Sequence, residues 1–397
     1  MSSPDDALRE SMAAHKAGRL DEAEAGYRRV LEARPADPKA LYYLGLLSFH
    51  RGETDDAIQL VRRCLARAPS NGLAWNTLGS MLASVAREPE AMEAYRRATV
   101  ENPAFGEGWY NLGVCLSQAG DADGAVRAFQ AGIANQPGYA RCHEALATML
   151  YRLGRAQEAA EAFREWAAHD PSNPMAVHMA AAATQTDVPA RAPDDYVRKL
   201  FDSSAGSFDA DLDRLGYRAP QLVAQALASA AGGRTLQAVL DAGCGTGLCG
   251  PLLRGRCASL IGIDLSPGMV ERARARSCYD ELVVAELSAF MRSRPGSFEA
   301  VVSADTLVYF GSLEEPLSAA WEALRSGGVL IFTVELQSAD VLADYGLELH
   351  GRYAHNEAYV GGALAAAGFQ LQTLSREVLR EERGLPVGGC LVIALKP

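Results

Sequence analysis

Small, aromatic and proline positions recur along the first half of the chain with a period of 34 residues. Gly18, Gly52, Gly120 and Gly154 share one phase, and Ala86 fills the remaining slot. Five residues later stand Ala23, Ala57, Ala91, Ala125 and Ala159, and four further on Tyr27, Val61, Tyr95, Phe129 and Phe163. Pro35, Pro69, Pro103, Pro137 and Pro171 close the five periods. That pattern predicts five pairs of short amphipathic helices, with the glycine at the turn inside each pair. The alanine lets the second helix pack closely on the first, the aromatic fills the gap, and proline ends the unit. The first helices carry Trp75, Leu78 and Gly79, repeated as Trp109, Leu112 and Gly113. Leu41, Leu44 and Gly45 continue this pattern, which decays to His143, Leu146 and Ala147.

Residues 186–195, TDVPARAPDD, read as a linker, and beyond them the period vanishes. Apolar runs with strand character then alternate with helical stretches, the pattern of an α/β domain on a mainly parallel sheet. Strands are expected near 237–242, 258–263, 281–285, 298–303, 327–335, 369–377 and 387–395, with helices over 196–231 leading into them. The last two are separated by GLPVGG (384–389), so the final strand is expected to insert antiparallel. The fold class is therefore a two-domain α plus α/β chain.

At its glycine, alanine, aromatic and proline positions the first half resembles the tetratricopeptide repeat family. The resemblance covers 1–185, as five repeats plus a capping helix around 174–185, and implies an all-α solenoid whose concave face holds a protein partner. No catalytic constellation accompanies it. His15, His50, His143, His169 and His178 are read as surface or packing residues, and Trp75 and Trp109 as core.

The chemistry lies in the second half. The first strand runs into VLDAGCGTG (239–247), where Gly243, Gly245 and Gly247 allow a sharp turn and a close approach of backbone to ligand. Asp264 ends the next strand in IGIDLSPGM (261–269), placed for a carboxylate to accept two ribose hydroxyls. Gly245, Gly247 and Gly250 also satisfy G-x-G-x-x-G, which by itself suggests a nicotinamide dinucleotide and a dehydrogenase. Against that stand the antiparallel last strand, the lack of a second substrate domain and Asp241, whose carboxylate suits a cationic or amine-bearing ligand.

With Asp241, the three glycines and Asp264 together, residues 196–397 resemble class I S-adenosylmethionine-dependent methyltransferases. The resemblance implies a Rossmann-like seven-stranded domain with an antiparallel last strand. It gives the glycine turn to the methionine moiety and Asp264 to the ribose, with Leu265 and Met269 near the adenine. Glu286, in LVVAEL (282–287), falls where an acid faces the adenine amine, and SADTLVYF (303–310), with Ala304 and Asp305, lines the pocket near the methyl. More narrowly, YVRKLFDSSAGSFDADLDRLGYRAP (196–220), HGRYAHNEAYV (350–360) and the closing GLPVGGCLVIALK are similar to bacterial repeat-bearing methyltransferases related to Williams–Beuren region 27-type proteins.

A neutral nitrogen acceptor needs alignment and exclusion of water, whereas a hydroxyl or carboxyl benefits from a base or from a site favouring its ionised form. His350 and His355 are the histidines of this half, both beyond the fifth strand. His355 or Tyr353 is the candidate base or acceptor contact; the other reading of His355 is a solvent-facing loop residue. No Asn/Asp-Pro-Pro-aromatic motif for base amines, Pro-Cys nucleophile or double-glutamate loop is present. No metal site is expected.

Composition bounds the rest. The 397 residues carry a net charge of −11, about −4 before residue 186 and about −7 after it, so neither half offers a basic nucleic-acid footprint. The acidic start MSSPDDALRE, the absence of a long apolar run and eight scattered cysteines lead to the expectation of a cytoplasmic protein with no membrane partner. The expected activity is methyl transfer to an O or N acceptor on a small molecule or on a partner recruited by the repeats. The alternative is a non-catalytic adaptor whose second domain senses the cofactor.

Overall fold

The computed structural model describes residues 3–337, 343–382 and 384–397. The chain divides into two compact units, Met1–Pro171 and Ser172–Pro397. No helix among the described residues is long and apolar enough to cross a membrane.

Among the described residues the first unit shows ten helices in five hairpin pairs, from Pro4–Lys16 with Leu20–Ala33 to Ala140–Arg152 with Ala156–His169. Ala23, Ala57, Ala91, Ala125 and Ala159 are wholly buried where the paired helices touch. Gly79 and Gly113 make room for the aromatic of the second helix: a Cβ there would lie 2.6 Å from the Tyr95 ring and 2.3 Å from that of Phe129. The turn glycines adopt φ between +73° and +84°, and Ala86 in the third slot is held at +55°, a strained value for an L-residue. Trp75 and Trp109 donate their indole N–H to the carbonyls of Pro69 and Pro103, at 2.7 and 2.8 Å. In the next period His143 Nε2 makes the same contact with Pro137, at 2.7 Å. The decayed motif therefore keeps its hydrogen bond.

The boundary between the units differs from that expected at 185. The helix Pro174–Thr184 belongs to the second unit, because its polar contacts lie there. His178 Nε2 meets the Gly351 carbonyl at 3.0 Å, and Gln185 donates to that of Leu347 at 2.7 Å. Nor is 186–195 a free linker. The Ala190 carbonyl accepts from the amides of Gly311 and Ser312, and the Ala192 amide donates to Tyr309, all at 2.8 Å.

The second unit is a sheet with helices on both faces. Strands β1 (Leu236–Ala242), β2 (Cys257–Asp264), β3 (Glu281–Val284), β4 (Phe298–Ser303) and β5 (Leu324–Leu336) pair in parallel in the order β3-β2-β1-β4-β5. The sheet continues through a short hairpin, β6 (Tyr345–Leu347) and β7 (Tyr353–His355), at the end of β5. Strand β8 (Gln370–Glu382) pairs antiparallel with β9 (Leu385–Leu395), which inserts antiparallel against β5 between Val329↔Leu395 and Glu335↔Gly389. The seven expected strands are present, and β6 and β7 are additional.

Alternate residues feed two cores, as a sheet covered on both faces requires. Leu240, Val301 and Phe332 face one and Val239, Val302 and Ile331 the other. The expected GLPVGG loop is mostly strand, because the β8–β9 ladder runs out to Glu382↔Leu385. A register shift between Val378 and Arg380 lies in the outer part of that ladder, where bulges commonly re-aim a side chain.

Candidate cofactor and acceptor site

Strands β2 and β4 flank β1 on opposite sides, so the strand order reverses between β1 and β4 and opens a crevice beyond their carboxyl ends. The glycine turn follows β1 there, with φ of +79° at Gly243, +55° at Gly245 and +83° at Gly247. The three glycines serve different neighbours. A Cβ on Gly243 would stand 2.1 Å from Thr306 Oγ1, and one on Gly247 3.1 Å from the Tyr279 ring. Gly245 alone of the three faces open space, its nearest neighbour being Phe208 Cε1 at 4.0 Å.

Asp264, at the end of β2, turns one oxygen to the Gly245 amide and the other to the Ser266 amide, both at 2.9 Å. Burial raises its pKa, and those amides restrain the rise. Asp241 lies deeper. It is fully buried, accepts the Tyr279 hydroxyl on Oδ2 at 2.6 Å, and leaves Oδ1 without a partner. Burial lifts its pKa to about 7 against the stabilising hydrogen bond from Tyr279. The Tyr279 ring fits only because its neighbours lack side chains: a Cβ on Gly250 or Gly262 would come within 2.8 Å of it.

The crevice is a cavity of about 360 Å³, within the ~300–1,000 Å³ range of small-molecule sites. Gly245, Asp264, Leu265, Glu286, Ala304 and Asp305 all reach its wall. The helices Asp194–Ser204 and Phe208–Arg214 contribute an apolar part through Leu200, Phe201 and Phe208. Polar contacts fix these helices onto the turns beneath. Asp202 accepts from the Ser266 hydroxyl at 2.5 Å and the Gly268 amide at 3.0 Å. Asp209 takes the Thr246 hydroxyl and pairs with Arg276, which also donates to the Thr246 carbonyl at 2.6 Å. The Glu286 carboxylate caps the helix Leu287–Arg292 through the Ser288 and Ala289 amides and pairs with Arg191 at 2.9 Å.

At the other end of the cavity sits a buried ionic cluster. Arg380, 4% exposed, pairs with Asp305, Glu335 and Glu382. Arg352 pairs with Glu335 and Glu382, at 2.6 Å in each case. Burial pushes the Glu335 carboxyl upward, but Arg352 and Arg380 outweigh it and hold its pKa low. His350, 3.3 Å from Glu335, is driven down to about 4 by burial and by Arg352. Asp305 adopts φ of +58°, a strained backbone of the kind found at functional sites.

Comparison with known proteins matches two regions of the chain to families. Residues 240–332 match the methyltransferase domain family, and 8–72, 87–140 and 116–174 match the tetratricopeptide repeat family. The chain is a tetratricopeptide-repeat array fused to a methyltransferase domain. It is similar to human methyltransferase-like protein 27, with 34% identity over 161 residues, covering 39% of this chain and 64% of that protein. It is also similar to the malonyl-[acyl-carrier protein] O-methyltransferase of Salmonella typhimurium, 32% identical over 116 residues, 29% of this chain and 46% of that enzyme. The chain therefore spans 64% and 46% of these two relatives' own lengths. Among solved structures, the MamA protein aligns with 43% of this chain and 92% of its own, at 23% identity and a TM-score of 0.39.

Within the methyltransferase domain, the residues singled out from sequence separate into two groups. Gly243, Gly245, Asp264, Leu265, Glu286, Ala304 and Asp305 come together around one cavity. Asp241, Gly247 and Met269 do not reach its wall. Met269 is fully buried beneath it, and Asp241 and Gly247 pack on Tyr279.

Both base candidates lie off the cavity, which corrects the acceptor role expected of them. Tyr353 is fully buried with its hydroxyl on the Pro189 carbonyl at 2.7 Å, and burial raises its pKa. His355 is not a solvent-facing loop residue either. Its Nε2 meets the carbonyls of Phe310 and Gly311 at 2.8 and 3.1 Å, Nδ1 has no partner, and burial lowers its pKa to about 4. Tyr353 seats the segment leading into the domain, and His355 holds the turn that follows β4.

Tyr279, Arg352, Arg380 and Glu382 escaped the sequence reading. Each is a common residue type whose role comes from a partner tens of residues away. Only the charge of Arg380 and Glu382 inside an otherwise strand-like run gave a local signal.

Proposed function

We propose that the methyltransferase domain binds S-adenosylmethionine in the cavity beyond β1 and β4 and transfers its methyl to an O or N acceptor. That acceptor belongs to a small molecule or to a partner brought by the repeats. The carrying observation is the convergence of Gly245, open to the cavity, and Asp264, hydrogen-bonded to it, at one wall. Gly245 leaves room for close approach of a ligand, and each Asp264 oxygen keeps a lone pair for a ribose hydroxyl. Asp264 and Leu265 would hold the adenosine, with Glu286 beside the adenine. The turn through Gly243 and Gly245, with Ala304 and Asp305, would border the methionine end. Asp241 would act through Tyr279 and the turn, not by touching the ligand.

The cofactor supplies an electrophilic methyl on a positively charged sulfur. The chain's own task is alignment and exclusion of water, which the Phe201 and Phe208 wall and its Asp202 and Asp209 clamps support. The repeats would raise the local concentration of a partner-borne acceptor without new contacts at the reacting centre. The name of the Salmonella relative gives a precedent for an oxygen acceptor held on a carrier protein.

Isothermal titration of the whole chain with S-adenosylmethionine, S-adenosylhomocysteine and NAD tests the proposal. Binding of the two sulfur compounds, lost in Asp264→Ala, is the expected result. Binding of NAD alone would replace the proposal with a dehydrogenase, and binding of none would leave the adaptor.

A further inference from the structure

The acceptor end of the cavity combines unused hydrogen-bond donors with carboxylates, Asp305 and Glu382, that arginines already engage. Tyr217 and Tyr309 line the wall, and neither hydroxyl has a hydrogen-bond partner among the described residues. Tyr309 lies in the field of Arg352, Arg380 and Asp305, and Tyr217 in that of Asp305 and Arg380, so the two phenols and the ionic cluster share one region. Arg352 donates to Glu335 through Nε and to Glu382 through Nη2, which leaves Nη1 without an acceptor among the described residues. Three residues with a donor that has no assigned acceptor thus line the cavity beside the ionic cluster. Around them Leu212, Leu215, Pro220 and Leu248 make the wall apolar. No histidine reaches the wall among the described residues.

We propose that this end of the site takes a carboxylate carried on an apolar chain, and that the methylated atom is a carboxylate oxygen. The proposal rests on the methyltransferase reading above. A carboxylate accepts from all three donors at once, in charge-assisted hydrogen bonds with Arg352. It is nucleophilic as it arrives, whereas a hydroxyl would need a base. One carboxylate oxygen forms the new bond to the methyl carbon as the carbon–sulfur bond breaks. The bonding pair stays on sulfur, which becomes a neutral thioether, and the product is a methyl ester. No proton moves.

Charge decides whether an anion is tolerated. Arg352 and Arg380 face Asp305, Glu335 and Glu382, one carboxylate more than they neutralise. The sulfonium cofactor offsets that excess. Glu382 is also the cluster carboxylate best able to yield, since its side chain is 28% exposed against 13% for Asp305 and 4% for Glu335. Its Oε1 bridges Arg352 and Arg380 at 2.6 and 2.7 Å, as an incoming carboxylate would. We assign Glu382 the part of an internal stand-in that the acceptor displaces.

Hexanoate, hexylamine and hexanol, matched in chain length, test the class. Each is incubated with the full chain and S-adenosylmethionine, and release of S-adenosylhomocysteine is measured. Binding to the protein preloaded with S-adenosylhomocysteine is followed separately by ligand-observed NMR. Hexanoate is expected to bind and turn over in preference to the other two, and alkali should release methanol from the product. Tyr217→Phe and Tyr309→Phe should each weaken hexanoate binding roughly tenfold, the usual loss for one hydrogen bond to a charged group, without changing cofactor affinity. Preference for hexylamine or hexanol, response to none of the three by a protein that binds the cofactor, or unaltered hexanoate binding in both variants would overturn the proposal. Failure to bind S-adenosylmethionine at all would instead overturn the methyltransferase reading.

Discussion

Gly243 and Gly245 stand two residues apart in one turn, yet alanine at each should fail in a different way. At Gly243 the new methyl would fall 2.1 Å from Thr306 Oγ1, 2.4 Å from its Cγ2 and 2.7 Å from its Cβ. The whole Thr306 side chain must then move and give up its 3.2 Å bond to the Gly243 carbonyl. Overpacking of this kind costs about 1–3 kcal/mol, and left-handed backbone adds about 1–2 kcal/mol, so Gly243→Ala should lose roughly 2–5 kcal/mol of stability. At Gly245 the new Cβ has no neighbour closer than 4.0 Å. Only the backbone term applies, and Gly245→Ala should lose about 1–2 kcal/mol. Its methyl, however, narrows the face of the turn proposed to meet the cofactor. A misfit of about 1–3 kcal/mol there weakens S-adenosylhomocysteine binding roughly 5- to 150-fold. Urea denaturation gives the stabilities, and titration calorimetry gives the affinities. The reasoning is refuted if Gly245→Ala binds like the unmodified chain, or if it is destabilised as much as Gly243→Ala.

Three further predictions follow from buried charge and backbone strain. The folded pKa of Asp241, about 7, lies above its ordinary 3.8, so folding favours the protonated form. That contribution is complete below pH ~4 and fades as pH rises through about 7, a loss of up to ~4 kcal/mol. Urea midpoints of the unmodified chain should therefore fall relative to those of Asp241→Asn between pH 5 and pH 8, and parallel curves would contradict the assignment. Arg380→Met takes the ion-pair partner from half-buried Asp305 and leaves buried Glu335 with Arg352 and His350, and should cost about 3–5 kcal/mol in chemical denaturation; adding Asp305→Asn should recover part of the loss, which an exposed pair would not show. Ala86→Gly relieves the left-handed alanine of the third turn, and should stabilise the repeat unit by about 0.5–1 kcal/mol, read as a higher melting temperature.

The repeats were legible because each position is set by neighbours within one period. Gly79 is needed by Tyr95, and Trp109 finds its acceptor six residues back at Pro103. The seven strands and the Gly245 and Asp264 wall were legible for a related reason, since a glycine turn and a strand-end acid are local features. Asp241 read as a ligand contact because its place after a strand is the same whether it faces the cavity or the protein. What decides is Tyr279, 38 residues on, filling the space that Gly247, Gly250 and Gly262 leave empty. His355 and Tyr353 misled similarly. Titratable types in an insertion suggest chemistry, but their partners are the backbone carbonyls of Phe310, Gly311 and Pro189. The end of the solenoid was misplaced because an alanine-rich helix can cover either unit, and His178 and Gln185 select the second through carbonyls more than 160 residues away.

The most direct test of the central claim is a crystal structure of the whole chain grown with S-adenosylhomocysteine. The account predicts the ligand in the cavity beyond β1 and β4, its ribose hydroxyls on Asp264 and its chain passing the open face of Gly245. A ligand bound elsewhere, or bound in that cavity without touching Asp264, would contradict it.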